Sequence, residues 1–239
     1  MLKVTYIDHM GSDLSVVNAA RVSFGKRSEG ELKWMPEGAD IQRPTRVPTE
    51  ADNGLIHYLA KHKHLSPFGH AFASFHVKAP IFVARQLVKH KFLRWNEISR
   101  RYVDDEPEFY VADVWRGRSV DKKQGSDGVV SEIFLYDYAE GYKEDPSYVA
   151  SAKAESDRLF YTSLIKSGVA PEQARMVLPQ STMTEWYWSG SLDAFAAMCK
   201  LRCATDTQYE SRIVADQISE IMSGLFPVSW EALMKGEEK

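Results

Sequence analysis

The chain has 239 residues, of which 44% are hydrophobic and 26% are charged, and its formal net charge is −3. This length suits one large domain, and the composition excludes the disordered and membrane-spanning classes. The two cysteines, Cys199 and Cys203, are four residues apart in a helical pattern, which argues against a disulfide scaffold or a structural zinc site. We therefore expect a single-domain cytoplasmic protein without a signal peptide, a membrane span or a metal site.

The first half of the chain alternates strand-like and helix-like segments. An N-terminal strand precedes a helix at 16–22, and a polar stretch with Pro and Gly at 25–48 predicts a loop or lid. Thr49 starts a capped helix that runs to about residue 61. Further along, the pattern predicts a strand at 70–78, a helix at 80–90, an extended segment at 100–103 and an exposed loop at 114–130.

The second half of the chain is mainly helical. A long helical region follows residue 130, and we expect it to be interrupted near Asp145 and Pro146 and to end at Gly168. The remaining predicted elements are a short helix at 171–178, a strand at 181–188, a helix at 191–202 capped by Ser191, and a helix at 207–225. Because this order lacks a regular βαβ rhythm, we predict one α+β domain over 1–239, with a central, mainly antiparallel sheet packed by helices.

The charges are distributed unevenly along the chain. Residues 53–96 contain no Asp or Glu but seven Lys or Arg residues, so this stretch carries +7 and the rest of the chain carries −10. A cationic stretch without carboxylate partners attracts anions, and in an acidic chain this favours small phosphorylated ligands over nucleic acid. Six of the seven histidines also lie here, but their irregular spacing and the missing carboxylates do not predict a metal site.

The chain contains no G-x-G sequence, so neither a Rossmann fingerprint nor a P-loop can bind a nucleotide. Instead, segment 85–102 carries two sets of polar side chains. One set shares a helix face by i, i+3, i+4 spacing, and the other alternates with period two in an extended segment. The helical set is Gln86, Lys89 and His90, and the extended set is Glu97, Ser99 and Arg101. Such groups together can hold a phosphate and the edge of a heterocycle.

Residues 89–102 resemble the RHRxxSxNExSxRY signature of the flavin-dependent thymidylate synthases. Other segments match this family in the same order: His64-x-Ser66-Pro67-Phe68-x-His70, the run 79–86, Ala174-Arg175-x-Val177-Leu178-Pro179, Leu201-Arg202 and Gln208-x-Glu210. The resemblance covers roughly residues 15–228. It implies a homotetramer with shared active sites that makes dTMP from dUMP. The implied carbon donor is methylenetetrahydrofolate, and NADPH supplies reducing equivalents through FAD.

The resemblance also implies roles for individual residues. Arg101 and Arg175 grip the dUMP phosphate, and Arg202 is the catalytic residue, because a cation beside uracil stabilises the enolate-like charge that develops when C6 accepts hydride. The implied dUMP-binding residues are Gln86, Lys89, Glu97, Ser99, Arg100, Arg101, Arg175 and Arg202. The implied FAD-binding residues are His64, Ser66, Lys89, His90, Lys91, Glu97 and Ser191.

The chain departs from the family pattern mainly at the implied flavin contacts. Lys89 and Lys91 stand in place of arginines, Arg94 in place of serine and Gly69 in place of glutamate, and Asp193, Ala197 and Asp206 occupy positions that often contact flavin. Two alternative functions remain open. One is a pyrimidine hydroxymethylase that uses the same dUMP-type site, and the other is a non-catalytic nucleotide- or RNA-binding homologue.

Overall fold

A computed structural model of the chain describes residues 1–34, 44–120, 125–136 and 141–235. The strands are β1 (Lys3–Met10), β2 (Glu31–Lys33), β3 (Thr45–Val47), β4 (Phe72–Pro80), β5 (Leu93–Glu97), β6 (Arg116–Arg118), β7 (Ser126–Val129), β8 (Ile133–Tyr136), β9 (Gly141–Glu144) and β10 (Met183–Ser191). The helices are α1 (Asp13–Arg21), α2 (Glu50–Lys61), α3 (Ile81–Leu87), α4 (Pro146–Lys166), α5 (Pro171–Ala174), α6 (Leu192–Arg202), α7 (Tyr209–Leu225) and α8 (Pro227–Met234).

A four-stranded antiparallel sheet in the order β1-β4-β10-β5 forms the centre of the fold. β10 pairs with β4 along its whole length, from Met183 opposite Pro80 to Ser191 opposite Phe72, and with β5 on its other side. Alternate residues of β4 are buried, as period-two patterning requires of a sheet with one face against the core. The α+β fold with a central antiparallel sheet is therefore confirmed.

Aromatic side chains fix the register of β10 in the core. Trp186 and Trp188 are fully buried, and the Trp186 ring stacks on Trp95 of β5 with centroids 4.3 Å apart. Phe195 of α6 packs edge-on against Trp188 at 5.6 Å and against Phe75 of β4 at 5.1 Å. A one-residue slip of β10 would turn both tryptophans away from the core, so these contacts specify the pairing.

Several predicted boundaries are confirmed. Thr49 caps α2 through a capping box, because its Oγ1 accepts from the Asp52 N–H at 3.3 Å and its own N–H donates to Asp52 Oδ2 at 3.1 Å. Gly168 follows the end of α4 with a φ of +84°, which glycine adopts readily. Ser191 stands at the N-cap of α6, although its side chain makes no capping hydrogen bond.

The helix predicted between residue 130 and Asp145 is wrong, because the described residues there form the hairpin β8–β9. Ile133 and Leu135 are half-buried while Phe134 and Tyr136 are exposed, which is a period of two and not of 3.6. The long helix begins only at Pro146, where the Asp145 carboxylate accepts the first free N–H groups of α4.

Two predictions around the signature segment also need correction. α3 ends at Leu87 and not near residue 90, so Lys89 and His90 lie in the turn after the helix. The extended segment is β5, and the predicted strand at 100–103 is a turn in which the Ser99 carbonyl accepts the N–H groups of Tyr102 and Val103. Ser99 and Arg101 therefore do not continue the alternation that starts at Glu97.

Three further segments differ from expectation. The described ends of 25–48 pair as β2 and β3, while the predicted lid at 35–43 lies outside the described residues. The predicted loop at 114–130 contains the hairpin β6–β7, and a Cβ on Gly117 would lie 2.6 Å from the Asp127 carbonyl oxygen, so only glycine allows this close pairing. The helix at 207–225, the last one predicted, is followed by a further helix, α8, which starts at Pro227.

Helix α8 is capped from the other end of the chain. The buried Asp13 carboxylate accepts from the Val228 N–H at 3.1 Å and from the Ser229 N–H at 2.9 Å. These N–H groups have no acceptor within the helix, so a carboxylate here satisfies them and interacts favourably with the helix dipole.

We expect Asp13→Ala to lower the free energy of unfolding by about 2 kcal/mol, because it removes two charge-assisted hydrogen bonds from buried N–H groups. Asp13→Asn should cost less, since its amide oxygen remains an acceptor. Urea unfolding followed by circular dichroism measures both values. Glu50→Ala, an exposed change in the first turn of α2, is the control, and an equal loss in all three variants would contradict the capping role.

Candidate active site

The first group of predicted substrate residues surrounds a cavity at the end of β5. Glu97 accepts hydrogen bonds from Thr184 Oγ1 at 2.7 Å and from Trp95 Nε1 at 3.1 Å, one on each carboxylate oxygen. These bonds orient the carboxylate while leaving a free lone pair on each oxygen. The cavity has a volume of about 350 Å³, and we call it the Glu97 cavity; its wall includes Glu97, Ser99, Arg100 and Arg175.

Three arginines lie at or beside the Glu97 cavity. Arg101 Nε is 3.9 Å from the carboxylate of Glu172, and Arg175 Nε donates to the backbone carbonyl of the same residue at 3.3 Å. Glu172 thus contacts both arginines, which brings Arg101 beside Arg175 on the wall of the cavity. Arg100 is oriented differently, because its Nη1 donates to the Asp105 carbonyl.

The second group lines a larger cavity of about 870 Å³, which we call the Arg202 cavity; it includes Gln86, Lys89 and Arg202. Arg202 ends α6, and its Nε donates to His90 Nε2 at 2.9 Å. Burial, and then the adjacent Arg202 charge, lower the pKa of His90 from 6.5 to about 4. At neutral pH, His90 is therefore an uncharged acceptor that orients the guanidinium without neutralising it.

A hydrogen-bonded segment separates the two cavities. The Ile81 N–H donates to the Thr182 carbonyl at 2.9 Å, and the Phe82 N–H donates to the Gln180 carbonyl at 3.1 Å. Ile81 and Thr182 line the Glu97 cavity, whereas Phe82 and Ser181 line the Arg202 cavity. The structure therefore does not bring the predicted dUMP residues together in one cavity, but divides them between the two sides of this wall.

Several residues of the Arg202 cavity were missed in the sequence. They come from segment 110–126 and from α4: Tyr110, Trp115, Arg116, Lys153 and Asp157. Burial raises the pKa of Tyr110 to about 12, so its hydroxyl is a hydrogen-bond donor at neutral pH. In the sequence, Trp115 alone indicates that this segment lines a cavity, because a tryptophan is unusual in a polar loop that is expected to be exposed.

The predicted cofactor residues lie near the two ends of α6. The Leu192 N–H donates to the Ala71 carbonyl at 2.9 Å, which brings the 3₁₀ helix Ser66–His70 beside Ser191. The turn that carries Lys89, His90 and Lys91 ends beside β10, where a Cβ on Gly190 would lie 3.2 Å from the Phe92 carbonyl oxygen. His64 is farther out, in an exposed group with Tyr58 and His62.

These residues fit a dinucleotide cofactor. Lys89 and Lys91 are exposed cations on the turn, suited to phosphate oxygens. Asp193 Oδ1 is buried and, among the described residues, has no hydrogen-bond partner. A buried acceptor without a donor is costly, so a ligand hydroxyl or amine beside Asp193 would be stabilising.

Other possible sites were considered in the described part of the chain. No group of three or more His, Cys, Asp or Glu side chains there could hold a metal ion, and His76 instead pairs with Glu185 at 3.0 Å. Cys199 and Cys203 are free thiols, as expected. None of the helices in the described ranges has the length and apolar content that a bilayer-spanning helix requires.

The chain is thus an α+β protein with two cavities lined in part by Lys and Arg side chains, and its sequence contains no glycine-rich phosphate loop. Comparison with known proteins identifies the family. Residues 5–228 match the family model described as "Thymidylate synthase complementing protein". The chain is 37% identical over 230 residues to a flavin-dependent thymidylate synthase of Thermus thermophilus, an alignment that covers 96% of this chain and 74% of the relative.

Two further comparisons agree. A flavin-dependent thymidylate synthase of Thermosipho africanus is 35% identical over 229 residues, which cover 96% of this chain and 89% of the relative. A crystal structure of the UMP/dUMP methylase PolB from Streptomyces cacaoi, bound with 5-Br dUMP, has a TM-score of 0.72 and 30% identity, covering 97% of this chain and 94% of that one. The chain belongs to the flavin-dependent thymidylate synthase family, so the predicted family and enzyme class are confirmed.

The pKa of His90 gives a prediction for stability. Between about pH 6.5 and pH 4 the unfolded chain binds a proton at this residue and the folded protein does not, so stability falls as the pH falls through this window. His90→Gln retains an acceptor for Arg202 but cannot be protonated. The drop in melting temperature from about pH 7 to pH 4.5 should be a few degrees smaller in this variant than in the wild type.

Calorimetry or circular dichroism at the two pH values makes the measurement. His62→Gln is the matched control, because His62 is an exposed histidine. The same pH dependence in His90→Gln and in the wild type would contradict a neutral, buried His90.

Proposed function

We propose that the protein converts dUMP to dTMP, with methylenetetrahydrofolate as carbon donor and NADPH as reductant through FAD. Family membership supports the reaction, and the observation that carries the proposal for this chain is the complete set of implied dUMP-binding side chains around two cavities. Seven of these residues line the walls, Gln86, Lys89 and Arg202 in one cavity and Glu97, Ser99, Arg100 and Arg175 in the other, while Arg101 lies beside Arg175 at Glu172.

The division of these residues supports the proposed homotetramer with shared active sites. Side chains on opposite faces of a hydrogen-bonded wall cannot both surround one small nucleotide. A Glu97 cavity from one subunit that faces an Arg202 cavity from another would bring the eight residues to one ligand. Homo-oligomers place identical surfaces in such repeated contacts by symmetry.

Within such a site the arginines have different roles. Arg101 and Arg175 present guanidinium groups at one edge, where planar donors suit the phosphate of dUMP. Arg202 faces uracil, and burial lowers its pKa, which reflects a partly desolvated cation whose field is less screened than in water. A preorganised charge of this kind stabilises negative charge that develops on the pyrimidine ring.

Ser99 is proposed as a binding residue. Its Oγ accepts the Arg101 N–H at 3.3 Å, and no imidazole or carboxylate of the described residues forms a hydrogen bond with it. A serine without a general base is a weak nucleophile, so its better role is to donate a hydrogen bond to the nucleotide.

The proposed cofactor is FAD. Lys89, His90 and Lys91 would hold its phosphates at the turn after α3, Asp193 Oδ1 would accept a hydroxyl or amine donor, and His64, Ser66, Glu97 and Ser191 complete the implied contacts. FAD, when bound and reduced, supplies the hydride that C6 of uracil accepts. The protein contributes position and electrostatic field.

The test begins with the absorption spectrum of the purified protein, with and without added FAD. Anaerobic reduction by NADPH is then followed in the presence and absence of dUMP, and the nucleotide product is identified by mass. We expect flavin absorbance, bleaching by NADPH, and dTMP after methylenetetrahydrofolate is added. UMP belongs in the same assay, because one similar solved structure is that of a UMP/dUMP methylase.

Two outcomes would contradict the proposal. A product heavier than dTMP by one oxygen would favour the hydroxymethylase. Nucleotide binding without any flavin absorbance, even with excess FAD, would favour the non-catalytic binding homologue.

The shared site gives a sharper prediction. Arg175→Ala damages the Glu97 cavity and Arg202→Ala damages the Arg202 cavity, so each variant alone should lose most activity. If the two cavities meet across subunits, mixed tetramers contain some sites with both halves intact. Random mixing in equal amounts should restore about a quarter of the wild-type activity per site.

Co-expression of the two variants with different affinity tags, followed by purification on both tags, yields the mixed oligomers. A mixture of Arg202→Ala with Gln86→Ala is the matched control, because both changes fall in one cavity and no intact site can form. Activity restored equally in both mixtures, or in neither, would contradict a site shared in this way.

A further inference from the structure

A chain of hydrogen bonds lies behind Gln86 in the Arg202 cavity. Ser211 Oγ donates to Gln86 Oε1 at 3.1 Å, and Gln86 Nε2 donates to Gln208 Oε1. Gln208 Nε2 in turn donates to Glu210 Oε2 at 3.3 Å. We call these four side chains the Gln86 relay; they connect α3 to the start of α7.

Glu210 anchors the Gln86 relay as a buried ion. Its side chain is only 5% exposed, and Arg116 Nη2 of β6 lies 2.5 Å from its Oε1. The Tyr110 hydroxyl lies 3.5 Å from the same oxygen, and the Arg116 guanidinium also stacks over the Tyr209 ring at 4.5 Å. A carboxylate held by a guanidinium in this way is compensated for its burial.

The carboxylate gives the relay one direction. A carboxamide can donate at one end and accept at the other, so a chain of two glutamines alone could run either way. The ionised Glu210 has only acceptors, so Gln208 must turn its NH₂ group towards Glu210 and its oxygen towards Gln86. Gln86 must then turn its NH₂ group to Gln208 and its oxygen to the Ser211 hydroxyl.

Gln86 therefore keeps one N–H and one oxygen lone pair, in fixed positions, for a ligand in the cavity. Uracil and cytosine differ in just these properties, because uracil has an N3–H donor and an O4 acceptor whereas cytosine has an N3 acceptor and an N4 donor. An amide whose direction is fixed can match only one of the two edges. An amide that is free to turn over can match both.

We propose that Glu210 is a positioning residue that makes the site select uracil over cytosine nucleotides, by fixing the direction of the Gln86 carboxamide. The proposal rests on the proposed function, in which Gln86 and Arg202 share the cavity that receives the base. Arg116, on a hairpin that sequence patterns did not reveal, supports the same selection, because its ion pair with Glu210 holds the anchor of the relay in place.

The test compares the dissociation constants of dUMP and dCMP, measured by titration calorimetry on the flavin-loaded enzyme. Glu210→Gln retains size and an acceptor for Arg116 but allows the relay to reverse. The preference for dUMP over dCMP should fall by about tenfold or more in this variant. Gln208→Met interrupts the relay without removing the ion pair, and it should reduce the preference in the same way even where Glu210→Gln folds poorly.

Ser211→Ala is the matched control from the other end of the relay. It removes the donor to Gln86 Oε1, but Glu210 still sets the direction, so dUMP binding should weaken while the preference stays at the wild-type value. A purely structural role for Glu210 predicts that both nucleotides lose affinity equally. An unchanged preference in Glu210→Gln and Gln208→Met, or the same loss of preference in Ser211→Ala, would overturn the proposal.

Nucleotide binding by the wild-type enzyme shows whether a negative result contradicts the role of Glu210 or the proposed function. If it binds neither nucleotide, the proposed function is contradicted and the inference falls with it. If it binds dUMP tightly and the variants keep the full preference for dUMP, only the role of Glu210 is contradicted.

Discussion

The pairing of β10 with both β4 and β5 is the constraint on which the site depends. Trp186 and Trp188 lock β10 in register, because a slip by one residue would expose them to water. That register places Glu97 opposite Trp186 and brings the turn after α3 against Gly190. The start of β10 contributes to one cavity, and its end leads directly into α6, which carries Arg202 to the other. One strand therefore positions residues of both cavities.

The wall between the cavities follows from the same pairing. β10 continues backwards into the segment whose carbonyls accept the first N–H groups of α3, at Thr182 and Gln180. These N–H groups have no acceptor within the helix, so satisfying them with a neighbouring segment is favourable and brings the backbones together. As a consequence, Ile81 and Thr182 line the Glu97 cavity, while their neighbours Phe82 and Ser181 line the Arg202 cavity. The division of the predicted dUMP residues between two cavities is thus a result of helix capping and sheet register, and the proposed shared site would be completed by a second subunit.

The sequence predicts local features well wherever the signal is local. The capping box at Thr49, the glycine end of α4 and the alternation of β4 each depend on residues within one turn or one strand. The sequence predicts a helix where the hairpin β8–β9 lies and a strand where residues 100–103 form a turn. Both predictions are wrong because a short segment contains too few repeats of the hydrophobic pattern, so tertiary contacts decide between helix, strand and turn. The cap on α8 could not be predicted, since its acceptor, Asp13, is more than two hundred residues away.

The same limit applies to the site. The signature residues were found individually, but their distribution over two cavities and the contribution of Arg116 depend on packing that the sequence does not encode locally. The Arg202 cavity has more cationic than anionic side chains on its wall. Its described wall carries Arg85, Lys89, Arg116, Lys153 and Arg202 against Asp157 and Glu210. Both carboxylates are paired with cations of this wall, Glu210 with Arg116 and Asp157 with Lys153.

Three positive charges therefore remain in excess on this wall, at Arg85, Lys89 and Arg202, which gives the cavity a field suited to an anionic nucleotide. Such a field attracts any phosphorylated pyrimidine equally and cannot distinguish one base from another. To distinguish uracil from cytosine, the site needs neutral hydrogen-bonding groups in fixed orientations. The carboxamide of Gln86, oriented by the Gln86 relay, is such a group and lies in the same cavity. The buried Glu210–Arg116 pair adds no net charge to the cavity, so it can direct the relay without weakening the attraction for the ligand. In the proposed site, the cations of this wall and the arginines at the Glu97 cavity therefore provide attraction for the phosphorylated ligand, while the Gln86 relay provides base selection.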